Sequence, residues 1–499
     1  MKLISVAALA LASVFVHAQY AGSQPVPSSL KKGFDSIRIE DAKKHLEFLA
    51  GPECEGRGSG QPGFQKAAEY MAARFKEAGL KPAGDDGTFF QNVPFTSYGV
   101  DPAQSYIAVV DGSGKAVGLA DVSFGRLGID ADKTAEVLVV HGSGPQSRIA
   151  DVDQLDGKIV FIVGESKGFQ RQVNAANTVA VIRVVPKVVP TSGQIRRGTG
   201  GTGSSSMNSI SMSENAAKRL LSGLGSPQAL SFSSVNSDNA DVFSVKGSLR
   251  IVSKAKATLI NVPNVVGVLP GSDPVLKNEV VGVGAHLDHL GKNGDTVYPG
   301  ADDDGSGSTA LLEVIHAIHE SGIKPKRSMI FMAFCGEEMG LIGSGWYSDH
   351  PFFPHDKMVA ELQMDMVGRD SDGVQNGDPK RVDKKEENID TMRLVGSKRI
   401  STDLHNAVLE NNKYIGFKFK WDAEDVYTRS DHYNFAKHGI PIAFLFDGFH
   451  PDYHQPTDTV DKINWEKLTN AAKLYYLVGL DLANRANRPR KDVPQGTGD

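Results

Sequence analysis

Two stretches near the start of the chain repeat apolar residues at three- and four-residue spacing. "IEDAKKHLEFLA" (39–50), stopped by Gly51, and "GFQKAAEYMAARFKEAGL" (63–80), stopped by Gly79 with Pro82 beyond, read as amphipathic helices. The intervening "GPECEGRGSGQPG" is a turn-rich loop, and "GSQPVPSSLKKG" (22–33) reads as a flexible start. From about 100 to 254 the texture changes. Short β-branched runs ("AEVLVVHG", "GKIVFIVG", "TVAVIRVV") alternate with loops rich in Gly, Ser and Thr, the pattern of a small strand-rich domain. From "NVPNVVGVLPGS" onward, strand-like and helix-like segments alternate. Strand "VVGVGAHLD", helix "STALLEVIHAIHE", strands "RSMIFMAF" and "AELQMDMV", helix "DHYNFAKHG" and strand "IPIAFLF" follow in order, and a last helix spans "NWEKLTNAAKLYYLVGLDLANRA". This order predicts an α/β fold, a mainly parallel central sheet with helices on both faces. The expected organisation is one domain over 19–99 and 255–487, a strand-rich insert over 100–254, and a flexible tail over 488–499.

The first residues, "MKLISVAALALASVFVHAQYA", read as a secretory signal over 1–18. Lys2 supplies the positive charge, Leu3 to Val16 the apolar stretch, and Val16-His17-Ala18 the cleavage site before Gln19. That stretch is shorter than the ~20 residues a membrane-spanning helix needs, so the expectation is an exported protein, periplasmic or secreted. Composition adds little. A net charge of −5 with no Lys/Arg run gives no reason to expect a nucleic-acid partner. The two cysteines, Cys54 and Cys335, either pair or remain buried thiols.

The chemistry lies just beyond the end of each strand. In parallel sheets the loops at the carboxyl ends of the strands carry the site. "VVGVGA" leads into His286 and Asp288, and the next loop, "PGADDDGSG", carries Asp302, Asp303 and Asp304. Glu337 and Glu338 follow "SMIFMAF", Asp365 ends "AELQM", and His454 follows "IPIAFLF". A lone histidine near a strand end is usually structural, paired glutamates are commonly solvated, and acidic loops are often surface turns. Five strand ends delivering His, Asp, Glu, Asp and His to one rim form a joint pattern that suits Zn²⁺ or another borderline divalent ion. An aspartate placed between two ions ~3.5–4 Å apart can bridge them.

"HLDHLG", "PGADDDGSG", "AFCGEEMGLIGS", "QMDMVGR", "RSDHYNFAKHGIP" and "YHQPTDT" resemble, in this order, the motifs of the co-catalytic dizinc aminopeptidases. These include secreted bacterial-type leucyl aminopeptidases, with glutaminyl cyclases, glutamate carboxypeptidase and the transferrin receptor as distant relatives. The resemblance covers about 255–485. "LDGKIVFIVGES" in the insert is similar to a protease-associated domain. What the family resemblance implies is a metallo-aminopeptidase with two zinc ions per chain, acting on peptides with a free N-terminus. His286 and Asp365 would bind one zinc, Glu338 and His454 the other, and Asp303 would bridge them, followed by a cis peptide to Asp304. Asp288 would accept the second N–H of His286. Glu337 would be the general base, and Tyr453 would hydrogen-bond the oxyanion. Glu337, Asp365 and the Arg429 carbonyl would hold the substrate amine. Cys335, two residues before the base, either packs against the sheet or lends a thiol to the metal site.

Three other readings compete. "GESKG", Gly164 to Gly168, formally matches a serine-hydrolase elbow but stands alone, with no Asp/His pair in the expected order. A receptor-like relative would have lost ligands, whereas every ligand position is filled here. A carboxypeptidase of the same fold needs a cation for the substrate carboxylate, and Arg369 and Arg429 lie near the motifs. Phe446 and Phe449, around the last ligand strand, either line an apolar pocket or belong to the core.

Overall fold

The computed structural model describes residues 19–110, 116–118, 120–124, 130–142, 144–164, 167–188, 194–197, 210–230, 239–375, 378–421 and 426–493. The expected leader lies outside them, as do Glu165 and Ser166 of the "GESKG" stretch. The chain forms two compact units. The first comprises Met1–Val93, Val262–Lys292 and Val297–Asp499, and the second Pro94–Asn261 with Asn293–Thr296. Both borders of the second unit fall inside long strands, Phe90–Val100 and Ala255–Leu269, which is why a change in composition locates them several residues away, at 100 and 254.

The principal strands of the ten-stranded sheet are β1 (Phe90–Val100), β2 (Ala255–Leu269), β3 (Val280–His286), β4 (Ser328–Phe334), β5 (Met358–Met364), β6 (Thr391–Val395), β7 (Lys418–Trp421) and β8 (Ile442–Phe446), with the short Lys81–Pro82 paired to β2 and Gln194–Arg197 to β1. Their order across the sheet is β7-β6-β8-β5-β3-β4-β2-β1. The four in the middle, β8, β5, β3 and β4, are parallel. β2 runs antiparallel to β4, and β6 antiparallel to β8 with β7 parallel to β6. The parallel arrangement thus holds at the centre, and the edges are mixed. Every residue of β3, β4, β5 and β8 is buried, as unbroken apolar runs such as "SMIFMAF" require when helices cover both faces.

Besides the single turn Lys385–Asn388, the helices of the first unit are α1 (Ser28–Ser36), α2 (Ile39–Leu49), α3 (Pro62–Glu77), α4 (Gly305–Ser321), α5 (Ile342–Asp349), α6 (Thr402–Asn412), α7 (His432–Ala436) and α8 (Trp465–Asn484). α4 and α8 pack against each other, with α1 and α2 laid on α4. On the other face Tyr347 of α5 and Phe435 of α7 join Ile330, Met332 and Phe334 of β4 in one buried cluster. Two expectations change here. Part of the supposedly flexible start is helix α1, because Phe34 is buried and Gly33 is pressed so close to Tyr476 of α8 that a Cβ would lie 2.4 Å from its hydroxyl. The tail is fastened as far as Val493: Arg490 forks onto Asp403 at 2.7 and 2.8 Å, and Val493 N–H donates to Ile400 O. Among the described residues no helix is long and apolar enough to cross a membrane.

The second unit holds a seven-stranded sheet in the order Tyr106–Val109, Asp241–Ser253, Ala131–Gly142, Ile159–Gly164, Ala180–Val185, Ile210–Ser213, Val122–Phe124. Its alternate residues fill two cores. Val137, Val139 and Phe161 meet Leu220 and Leu221 of helix Glu214–Gly223 on one face, and Val140, Val160 and Ile162 meet Phe169 on the other.

Glu313, in the middle of α4, is fully buried, and neither carboxylate oxygen has a hydrogen-bond partner. Burial first, then the nearby Asp41, pushes its carboxyl up to about 8. Between its unfolded pKa of ~4.3 and that value the unfolded chain releases the proton and the folded chain keeps it, so stability falls as pH rises. Glu313→Gln removes that loss. The variant's gain in melting temperature over the wild type is expected to grow from pH 5 to pH 8; two curves that stay parallel across that range would contradict the assignment.

Candidate metal centre

Because β3, β4, β5 and β8 are parallel, their carboxyl ends open onto one rim. β3 ends on His286, Glu337 and Glu338 follow β4, Asp365 follows β5, and Tyr453 and His454 lie in the loop after β8. The loop from Pro299 carries the aspartate triplet into the N-terminus of α4.

The three aspartates have separate tasks. Asp304 caps α4 by accepting from Gly307 N–H at 2.9 Å. It also accepts from Met366 N–H and His286 N–H, both at 3.1 Å, and so ties β3, β5 and α4 together. Asp302 accepts from Gly368 N–H at 2.8 Å. The peptide between Asp303 and Asp304 is cis, as the resemblance implies. Asp303 alone presents its carboxylate to the rim. Its Oδ1 lies 3.3 Å from His286 Nε2, which is itself 3.4 Å from Asp365 Oδ1. Its Oδ2 lies 3.2 Å from His454 Nε2, which is 3.0 Å from Glu338 Oε2. Donors around one tetrahedral zinc with ~2.0–2.1 Å bonds stand about 3.3 Å apart. The five expected ligands therefore form two such sets, sharing Asp303 through its two oxygens. His286 Nε2 and Asp303 Oδ2 are buried with no hydrogen-bond partner, as unfilled ligand atoms are.

The electrostatics point the same way. Against burial, the imidazoles of His289, His286 and His454 hold Asp303 well below the usual carboxylate range. Burial opposes protonation of His454, yet the adjacent carboxylates of Asp303 and Glu338 push it up to about 10. Glu337 stands slightly apart, its Oε2 4.0 Å from His286 Nε2. Burial pushes its carboxyl well up, further than His286 pulls it down, and Asp365 adds to the rise. A carboxyl in such a place needs added positive charge to ionise. Met366, Val426, Phe444, Phe446 and Phe449 form an apolar wall of the cleft beside this cluster, with Arg429 and Tyr453 also lining it. The guanidinium of Arg429 lies over the Phe449 ring and donates to the Tyr453 hydroxyl at 3.3 Å.

One expectation, for Asp288, is corrected, and the alternatives open for Arg369 and the cysteines are resolved. His286 Nδ1 lies 3.0 Å from the main-chain carbonyl of Asp288 and 3.8 Å from its carboxylate. That carboxylate is already engaged, accepting from Glu337 N–H at 3.1 Å and from the Ser59 hydroxyl at 3.0 Å. Arg369 is buried and bound to Asp452, Asp458 and Ser371, so it cannot receive a substrate carboxylate. Cys54 and Cys335 are unpaired, and the Cys335 thiol donates to Val262 O at 3.3 Å instead of facing the rim.

Two features escape the sequence reading. His289, in "HLDHLG", has its Nδ1 2.6 Å from Glu338 Oε1, and it groups with Asp303 and Glu338 as a possible ligand set. The "GRGSG" loop, to whose residues the sequence assigns no role at the site, supports the whole rim. Arg57 is fully buried, and its guanidinium donates to the carbonyls of Leu287, Leu49, Pro299, Gly300 and Asp303 at 2.7–3.4 Å. Ser59, besides holding Asp288, accepts from Gly336 N–H at 2.8 Å. An arginine flanked by glycine on both sides is the available signal.

Residues 264–478 match the family model described as Peptidase family M28. A probable leucine aminopeptidase from Trichophyton verrucosum is 30% identical over 233 residues, 44% of this chain and 58% of that protein. Another, from Arthroderma otae, is 30% identical over 254 residues, 48% of this chain and 64% of that one. The chain thus spans less than two thirds of the length of these relatives. Among solved structures, a zinc aminopeptidase from Bacillus subtilis aligns over 92% of this chain and 98% of its own with a TM-score of 0.51 and 18% identity, which shows a shared fold.

Replacing Arg57 by alanine leaves those carbonyls without their donor, at ~1–3 kcal/mol for each buried unsatisfied group. Arg57→Ala is expected to lose at least ~3 kcal/mol of unfolding free energy and to release bound metal to a chelator faster than the wild type. Arg57→Lys, with three donors on one nitrogen, should recover only part. An unchanged denaturant midpoint in Arg57→Ala would contradict this role.

Proposed function

We propose that this chain, whose residues 264–478 belong to peptidase family M28, is a zinc aminopeptidase that removes apolar residues from the free N-termini of peptides. One observation carries the reading: the two oxygens of Asp303 face two separate donor sets, His286 with Asp365 and Glu338 with His454. When bound, two zinc ions between those sets supply Lewis acidity and lower the pKa of water.

The remaining chemistry belongs to the chain. Glu337 lines the cleft within reach of His286 but outside both sets, which suits a group that takes a proton from the attacking water and returns it to the leaving amine. Burial holds the Tyr453 phenol well above its usual pKa, so it keeps its proton and can donate to the developing oxyanion. The carboxylates of Glu337 and Asp365, with the Arg429 carbonyl, are the groups for the substrate ammonium. The apolar wall from Met366 to Phe449 takes the N-terminal side chain, so leucine or phenylalanine is favoured over a charged residue. With Arg369 engaged elsewhere, the carboxypeptidase alternative loses one of its two candidate cations.

Leucyl anilide should be hydrolysed, chelator should abolish turnover, and zinc should restore it. N-acetyl-leucyl anilide should be inert; equal rates on blocked and free substrates would overturn the aminopeptidase reading. Glu337→Gln keeps the shape but cannot accept the proton, so kcat should fall ~10²–10⁴-fold with metal content intact. Glu338→Ala should lose metal as well as activity. Near-normal turnover in Glu337→Gln would remove it from the mechanism.

A further inference from the structure

His289 faces the second donor set without being one of its expected ligands. It is 2% exposed, and its position is fixed from three sides. Its main-chain N–H donates to Arg57 O at 3.2 Å, and its backbone pairs with Gly58 in an isolated bridge. Its ring lies against Gly300, where an added Cβ would stand 2.5 Å from Cγ and Cδ2 of the imidazole. The φ of +56° at Gly300 and this contact leave room only for glycine beside the ring.

Held there, Nδ1 lies 2.6 Å from Oε1 of Glu338 and 3.7 Å from Oδ2 of Asp303. Two ligands of one tetrahedral zinc stand about 3.3 Å apart. A separation of 2.6 Å is too short for that and fits a hydrogen bond to a carboxylate. Glu338 sits in the turn after β4, and its other close partner is His454, 34% exposed at its side chain and on a turn with φ 57°. The buried imidazole is therefore the fixed point from which the Glu338 carboxylate can be aimed.

We propose that His289 is a positioning residue of the second zinc site. Its Nδ1–H donates to Oε1 of Glu338 and leaves Oε2, the oxygen beside His454, as the atom offered to the ion. This rests on the two-zinc reading and extends it to a residue outside the ligand set. His289 thereby tunes how tightly the second ion is held, while the first, between His286 and Asp365, does not depend on it.

The test is competitive titration of chelator-stripped protein with zinc against a chromogenic chelator, with unfolding midpoints measured alongside. The wild type should take up two ions. His289→Ala should weaken the second about 10–100-fold, the usual effect of losing a partner that orients a ligand, and leave the first unchanged. His289→Asn, whose amide nitrogen can take the place of Nδ1, should recover most of the loss, and His289→Gln, which reaches towards the Nε2 position, should not. Wild-type affinity for both ions in His289→Ala overturns the proposal, as does recovery by Gln and not Asn, or loss of both ions in the Ala and Asn variants alike. Uptake of a single ion by the wild type overturns the two-zinc reading and this proposal with it. A two-ion wild type with an unaffected His289→Ala overturns this proposal alone.

Discussion

Concentrating carboxylates in a buried rim is the condition that the rest of this structure answers. Asp302, Asp303 and Asp304 lie in sequence on one loop, with Glu337, Glu338 and Asp365 facing it from neighbouring strand ends, and like charges repel strongly where little water reaches them. Each is relieved differently. Asp304 accepts from three backbone N–H groups, one of them at a helix N-terminus, and burial pushes its carboxyl well above the usual range, which disfavours a charge there. Asp302 takes one N–H, and the backbone on both sides of it is anchored to Asp458. Arg57 brings a full positive charge beneath the loop while spending its hydrogen bonds on carbonyls, so it fixes the path of the chain without neutralising any one carboxylate. Asp303 is what remains, an ionised group between imidazoles whose two oxygens point in two directions.

The same constraint explains the architecture around the rim. Ligands drawn from four strand ends converge only if those strands are parallel and adjacent, which β8, β5, β3 and β4 are. Main-chain groups do much of the holding. The Asp288 carbonyl meets His286 Nδ1, and the Asp288 carboxylate meets the Glu337 N–H, so the proposed base and the first histidine are positioned from one residue through two different atoms. Ser59 and Arg57 reach in from the loop before α3 and lock the ends of β3 and β4 to the aspartate loop. This part of the site is thus braced from a segment more than two hundred residues away in sequence.

Much of this is legible in the residues themselves. "VVGVGAH" and "SMIFMAF" announce central strands because strands covered on both faces are largely apolar, "AELQM" does so less plainly because the buried Glu361 and Gln363 lie within it, and the polar residue at or just past each end is a proposed ligand or the proposed base. Edge strands carry no such signal. "TMRLV" is broken by Arg393, and "KFKW" alternates charged and apolar residues as a strand does but over only a few positions, so β6 and β7 are short and easily passed over. Helix α1 reads as flexible because its order comes from packing: Gly33 is held against Tyr476, a contact that local sequence does not express. The role of Asp288 is misjudged for a related reason, since a spacing of two residues brings both its carbonyl and its carboxylate near His286 and does not say which is free. Arg57 and His289 stay hidden because their partners are main-chain carbonyls and a single glutamate oxygen, distant in sequence.

The central claim is that Asp303 joins two metal sites at this rim, and anomalous diffraction at the zinc edge from crystals of the zinc-loaded protein tests it most directly. The account predicts two peaks about 3.5–4 Å apart, one beside His286 and Asp365 and the other beside Glu338 and His454, with Asp303 between them. A single peak in a fully loaded crystal, or two peaks that Asp303 does not touch, would contradict it.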